Sequence, residues 1–149
     1  MNLNLSQPVH LLYPAYLAPE VTEFYQRLYD ENVIEADDRQ LLRFGKAHLH
    51  LRALTQATQP PHADIQLNSR LPAQILLDES HRRRLPACAG PVERAVRRGP
   101  ALGIRESIYL RGPLGELIEI GRWKYGPGAL LGWYPSIQHV LAQRPTGDL

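Results

Sequence analysis

At 149 residues, with 44% hydrophobic and 21% charged side chains, the chain suits one globular domain or two small halves sharing a core, and its composition excludes disorder or a fibrous repeat. Seventeen basic against fifteen acidic residues leave a formal charge of +2, too near balance for the electrostatic footprint of a nucleic-acid partner. A single cysteine, Cys88, excludes an intrachain disulfide, and no apolar run approaches bilayer-spanning length, so the expected setting is cytoplasmic, with no membrane partner.

Met1 to Ser6 carries neither the basic segment nor the long apolar run of a secretory leader. Val9 to Leu17 reads as a strand, and Glu20 to Tyr29 has apolar positions at helical spacing, with Pro19 suited to the first helical turn because its missing N–H costs nothing there. Three strands are expected next, at 32–35, 41–44 and 47–54, separated by Asp37-Asp38 and Gly45-Lys46. Polar residues 55–61, ending in Pro60-Pro61, form a linker.

The pattern then repeats. Residues 62–68 alternate as a strand, and 72–85 carry helical apolar spacing at Ile75, Leu76 and Leu85. His81-Arg82-Arg83-Arg84 reads as a solvated helix end, favoured by the helix dipole. Short strands are expected at 87–90, 107–111 and 116–123, with a loop at 99–103 and a tight hairpin at Gly112-Pro113-Leu114-Gly115. Cys88 reads as a small buried or half-buried filler. Residues 129–143 read as a terminal helix. The expected class is α+β, built of two β-α-β-β-β modules at 8–55 and 61–123, with an extension at 124–149.

Comparing the halves pairs His10 with His62, in the two first strands, and His50 with Glu119, in the two last strands. His50 stands between Leu49 and Leu51, and Glu119 between Ile118 and Ile120, so each projects opposite its apolar neighbours. If one face of each sheet curls into a cup, imidazoles and a carboxylate converge. That is the donor set a divalent ion such as zinc, nickel, manganese or iron needs. The expected metal ligands are His10, His62 and Glu119, with His50 as a fourth candidate. His48 shares His50's face but lies nearer the strand start, where a solvated role is expected. His81 and His139 fall on expected helix surfaces.

These residues resemble a known family. His10 followed by a helix carrying Phe24-Tyr25, Leu42-Arg43-Phe44-Gly45 before a strand, Gly90-Pro91-Val92-Glu93-Arg94, Ser107-Ile108-Tyr109-Leu110-Arg111 and the closing Gly112 to Glu119 are similar to the vicinal oxygen chelate (VOC) superfamily of glyoxalase, bleomycin resistance and dioxygenase proteins. The resemblance runs from about His10 to Trp123. It departs at the hairpin, where Gly112 and Leu114 replace two turn aspartates, and at Tyr29-Asp30, where Leu-Gly is common.

The resemblance implies a cup of paired modules around one divalent metal (Fe, Mn, Ni or Zn), a small oxygen-rich substrate and a homodimer. It favours a glyoxalase-like isomerase or lyase, in which Glu119 or His50 moves off the metal to carry a proton. An Fe(II) ring-cleaving dioxygenase and a metal-free, drug-enclosing protein are its other outcomes. Arg94, Tyr109 and Arg111 are then expected to face an anionic substrate, since Arg can grip an oxyanion with two nitrogens.

Overall fold

The computed structural model describes residues 1–29, 34–36, 39–55, 64–98 and 101–125. A short strand β1 (Asn4–Leu5) precedes a first unit of β2 (Val9–Pro14), α1 (Ala18–Leu28), β3 (Ile34–Ala36), β4 (Arg39–Phe44) and β5 (Ala47–Leu54). The second unit comprises β6 (Ile65–Asn68), α2 (Ala73–Arg82), β7 (Ala87–Arg98), β8 (Ala101–Arg111) and β9 (Leu117–Tyr125). The expected β-α-β-β-β order therefore occurs twice, in an α+β arrangement. The first unit builds a four-stranded sheet in the order β2-β5-β4-β3. The second builds a five-stranded sheet in the order β1-β6-β9-β8-β7.

Each sheet places its first and last module strands side by side and parallel, β2 on β5 and β6 on β9. Alternation along these strands sorts the side chains. Leu11 and Tyr13 of β2, with Leu49 and Leu51 of β5, are buried in the core, as are Ile65, Leu67, Ile118 and Ile120 of the other sheet. Helix α1 buries Val21, Tyr25 and Leu28, spaced for one helical face, and α2 buries Ala73, Leu76 and Ser80.

Strand β1 was not expected from its two residues. It pairs antiparallel with β6, matching Asn4 to Asn68, and brings Met1, Leu3 and Leu5 into the core. The start of the chain is thus stitched to the second unit's sheet, and Ser69 Oγ donates to the Met1 carbonyl at 3.2 Å.

The longest departure is the β7–β8 hairpin. A four-residue strand at 87–90 becomes a twelve-residue β7, and the loop expected at 99–103 gives way to β8 from Ala101 onward. The charges at Glu93, Arg94, Arg97 and Arg98 argue against a strand locally, but β7 is a sheet edge, where charged side chains are commonplace and pairing with β8 supplies the backbone hydrogen bonds. Cys88 also departs from expectation: it is exposed, with Sγ donating to the Tyr109 carbonyl at 3.4 Å. The helix expected at 129–143 lies outside the described residues. Among the described residues no helix is long and apolar enough to cross a membrane.

The basic run behaves as a helix end. Arg82 pairs with Glu79, and Arg83 Nη1 donates to the carbonyl of Arg27 at 3.3 Å, in the last turn of α1. The other end of α2 has no side-chain cap from its own Pro72. Glu106, from β8, supplies it instead: Oε1 accepts from the Ala73 N–H at 3.1 Å and Oε2 from Arg122 Nε at 2.8 Å. Glu106→Ala is expected to cost about 1–2 kcal/mol, the usual loss of a helix cap, read as a lower urea midpoint at unchanged m-value. An unmoved midpoint would remove this cap from the account.

Candidate functional site

Turning the apolar residues of each strand toward the helices leaves a polar face on each sheet. On the four-stranded sheet, the register sets His10 opposite His50 across β2 and β5, and Arg43 opposite His48 across β4 and β5. The rings of His10 and His50 stack, with centroids 4.3 Å apart and planes 22° from parallel, and His48 stands edge-on to His50 at 6.2 Å. His50 Nδ1 is buried without a hydrogen-bond partner. Desolvation first, then the neighbouring His10, His48 and Arg39, lowers the His50 pKa, so the ring favours its neutral form.

On the five-stranded sheet the same register falls on other residues. Gln66 of β6 lies opposite Glu119 of β9, as His10 lies opposite His50. The residue equivalent to His10 in the second unit is therefore Gln66, four positions beyond His62. This corrects the sequence-level pairing of the two histidines. An amide in a strand carries no metal signal by itself, and only the ladder register singles it out. His62 lies outside the described residues.

Glu119 is the hub of this face. Its Oε1 accepts from Arg105 Nε at 2.6 Å and from Ser107 Oγ at 2.7 Å. Its Oε2 accepts from Arg94 Nη2 at 2.5 Å and from Gln66 Nε2 at 3.4 Å. Arg105 is 0% exposed, and it spends its remaining nitrogens on Asn68 Oδ1 at 2.8 Å and the Leu67 carbonyl at 2.9 Å. Trp123 lies beside it, 5.8 Å from ring centroid to guanidinium carbon. Burial would raise the Glu119 pKa, but the Ser107 hydrogen bond and the Arg105 and Arg94 charges outweigh it and hold the carboxyl below its ordinary range. For Arg94, burial opposes the charge, while Glu119 and Tyr109 more than compensate and raise its pKa.

Small residues make room for the hub. Gly121 faces Ser107 across β8 and β9, and a Cβ there would collide with Ser107 Oγ and the Glu106 carbonyl. Opposite residues on antiparallel strands share a face, so Val92 with Ser107, Arg94 with Arg105, and Val96 with Gly103 extend this surface across β7.

The expected site residues thus divide into two groups. Arg94 and Tyr109 join Glu119, and the hub adds Arg105, Ser107, Gln66 and Asn68, which sequence reading passed over. Arg105 was hidden because it falls between the loop expected at 99–103 and the strand expected at 107–111, where a lone arginine reads as surface. Arg111 is exposed and donates to the Gly115 carbonyl at 3.1 Å, which places it at the hairpin. His10 and His50 stand on the other sheet, and among the described residues no three His, Cys, Asp or Glu side chains are grouped to hold a metal ion.

The two halves of the expected ligand set differ in fit. His10 and His50 have suitable chemistry, with one neutral-favouring ring and one unpartnered nitrogen. Glu119, as it stands, does not fit: its acceptor sites are filled, and a dication there would face two guanidinium groups.

No family model matches the sequence, and no curated protein matches it. Solved structures do. An integron cassette protein from the mobile metagenome of V. cholerae superposes with a TM-score of 0.60 at 23% identity, covering 80% of this chain and 96% of its own. A glyoxalase/bleomycin resistance protein from Catenulispora acidiphila gives 0.56 at 12% identity, covering 80% and 98%. A glyoxalase/bleomycin resistance protein/dioxygenase from Alicyclobacillus acidocaldarius gives 0.51 at 17% identity, covering 80% and 92%. Two β-α-β-β-β units, each closed by a parallel pair of first and last strands, and these superpositions together give the chain the glyoxalase/bleomycin resistance/dioxygenase fold.

Proposed function

We propose that this protein binds a small, oxygen-rich, anionic molecule at the polar face of the five-stranded sheet, where Arg94 is partly exposed, acting as a homodimer, with Glu119 as a buried counter-ion rather than a metal ligand. One observation carries the reading: two arginines converge on a single carboxylate, so the face keeps one uncompensated positive charge among Glu119, Arg94 and Arg105. In this arrangement Glu119 fixes Arg105 and orients Arg94, and the partly exposed Arg94 meets the ligand. The chemistry is electrostatic capture and orientation in a partly desolvated setting, where charge pairs are stronger than in water.

A second reading, a divalent-metal isomerase or lyase, draws on the buried, unpartnered His50 Nδ1 beside His10. There His10 and His50 would hold the ion, with Gln66 at the equivalent place on the other sheet, and the metal would act as a Lewis acid on substrate oxygens. Metal uptake separates the two. Untagged protein is incubated with Fe(II), Mn(II), Ni(II) and Zn(II), freed of excess ion, and analysed beside His10→Ala and Glu119→Gln. The first reading expects no metal retention that depends on Glu119. About one equivalent, lost in both variants, would overturn it in favour of the enzyme, since a shared site needs both ligands.

A further inference from the structure

Arg94 presents its guanidinium with one edge half used. Nη2 donates to Glu119 Oε2, and Tyr109 stands beside this side chain. Nε, the other member of that edge, is buried and donates to nothing. A charged donor shut off from water and left unserved is unusual in a folded protein and calls for a reason, of which a missing ligand is one. The planar arginine fork suits an oxyanion that takes two parallel hydrogen bonds, whereas Glu119 takes only one of that pair.

The surroundings favour an anion there. Arg105 already neutralises Glu119, and it has no freedom to do otherwise: its side chain is wholly buried and tied to Asn68 and the Leu67 carbonyl as well. Arg94 is therefore the charge in surplus. Its side chain keeps 20% exposure, so it remains approachable and can swing from the carboxylate. Val92 and Val96 flank it on the same face of β7, both half-buried, and give that side of the surface an apolar character.

We infer that Arg94 is the anchor for a ligand's oxyanion group, a carboxylate or phosphonate carried on a compact apolar body, with Tyr109 beside it and Val92 and Val96 against the body. This rests on the reading of the five-stranded sheet's polar face as the binding surface. On binding, the ligand oxygens engage Nε and a terminal nitrogen together. Glu119 remains paired with Arg105 and Ser107, so exchanging Arg94's partner leaves no buried charge alone.

The test uses the full chain and three probes of one shape, benzoate, phenylphosphonate and the neutral benzamide, followed by calorimetric titration and thermal shift. Benzoate or phenylphosphonate is expected to bind and benzamide not to. Arg94→Ala is expected to weaken binding about 10- to 100-fold, the range for loss of a charge-assisted hydrogen bond. Arg94→Lys keeps the charge without the fork and is expected to fall between the two, which guards against a folding defect in the alanine variant. Arg82→Ala, on the outer end of α2, serves as the unaffected control. Tighter binding of benzoate than phenylphosphonate assigns a carboxylate ligand, and the reverse order a phosphonate or phosphate. Equal binding of benzamide, binding by neither anion, or full binding retained in Arg94→Ala would each overturn the inference. Its failure is distinct from failure of the functional reading, which turns on metal retention at Glu119.

Discussion

Glu119→Ala is expected to destabilise the fold by about 3–5 kcal/mol, the cost of stranding a buried charge by removing its partner. Arg105 decides the size of the effect. It is fully buried, and without Glu119 its guanidinium keeps only the neutral Asn68 and Leu67 oxygens. Arg94 contributes less, because it is partly exposed and can turn toward water. The double variant Glu119→Leu, Arg105→Met should recover much of the loss, since an apolar pair of similar volume avoids the desolvation of both ions. Urea unfolding at neutral pH measures all three proteins. A loss below about 1 kcal/mol in the single variant would mean that Arg105 finds another counter-charge and that Glu119 is not the hub.

The same pair makes the protein acid-sensitive. The Glu119 pKa is depressed in the folded state, so its contribution is complete above the ordinary carboxylate range and is lost as pH falls from that range through the depressed value. In Glu119→Gln that part of the acid dependence should vanish, leaving a flatter stability profile below the carboxylate range.

Glu116→Ala is expected to cost about 2–3 kcal/mol through buried groups left without partners. Glu116 is 1% exposed and ties the two units together: Oε1 accepts from the Tyr25 hydroxyl of α1 at 2.5 Å, and Oε2 from the Leu114 N–H at 2.8 Å. Burial first, then the nearby Glu116, raises the Tyr25 pKa well above normal, so the phenol stays protonated and donates. Tyr25→Phe removes one of these bonds and should cost about 1 kcal/mol, with coupling to Glu116→Ala in a double-mutant cycle. Strict additivity of the two would argue against a direct bond. The carboxylate also accounts for the glycine at position 112, where the resemblance led to an aspartate being expected. A Cβ at Gly112 would collide with the Glu116 carboxylate, so a turn aspartate at that position is incompatible with this arrangement.

Much of the molecule was legible residue by residue. The alternation in Ala47–Leu54 set that strand's bounds, because a half-buried strand must present apolar residues at every second place. Val21, Tyr25 and Leu28 likewise marked the buried face of α1. The repeat and the hairpin at 112–115 followed from patterns that lie close together in the chain. Strands β1 and β7 did not: two residues at an edge and a charged twelve-residue strand take their conformation from the neighbour they pair with.

The amino-acid sequence by itself determined the class, the doubled topology and which residues turn away from the apolar core, since these depend on periodicity and turn chemistry. Only the tertiary structure decided which polar residues meet. Gln66 as the counterpart of His10 depends on a ladder register between strands some fifty residues apart, 53 in the case of Gln66 and Glu119. Arg105 as Glu119's partner depends on the pairing of β8 with β9. Charge and hydrogen-bond partners are properties of distance in space, which local sequence does not encode.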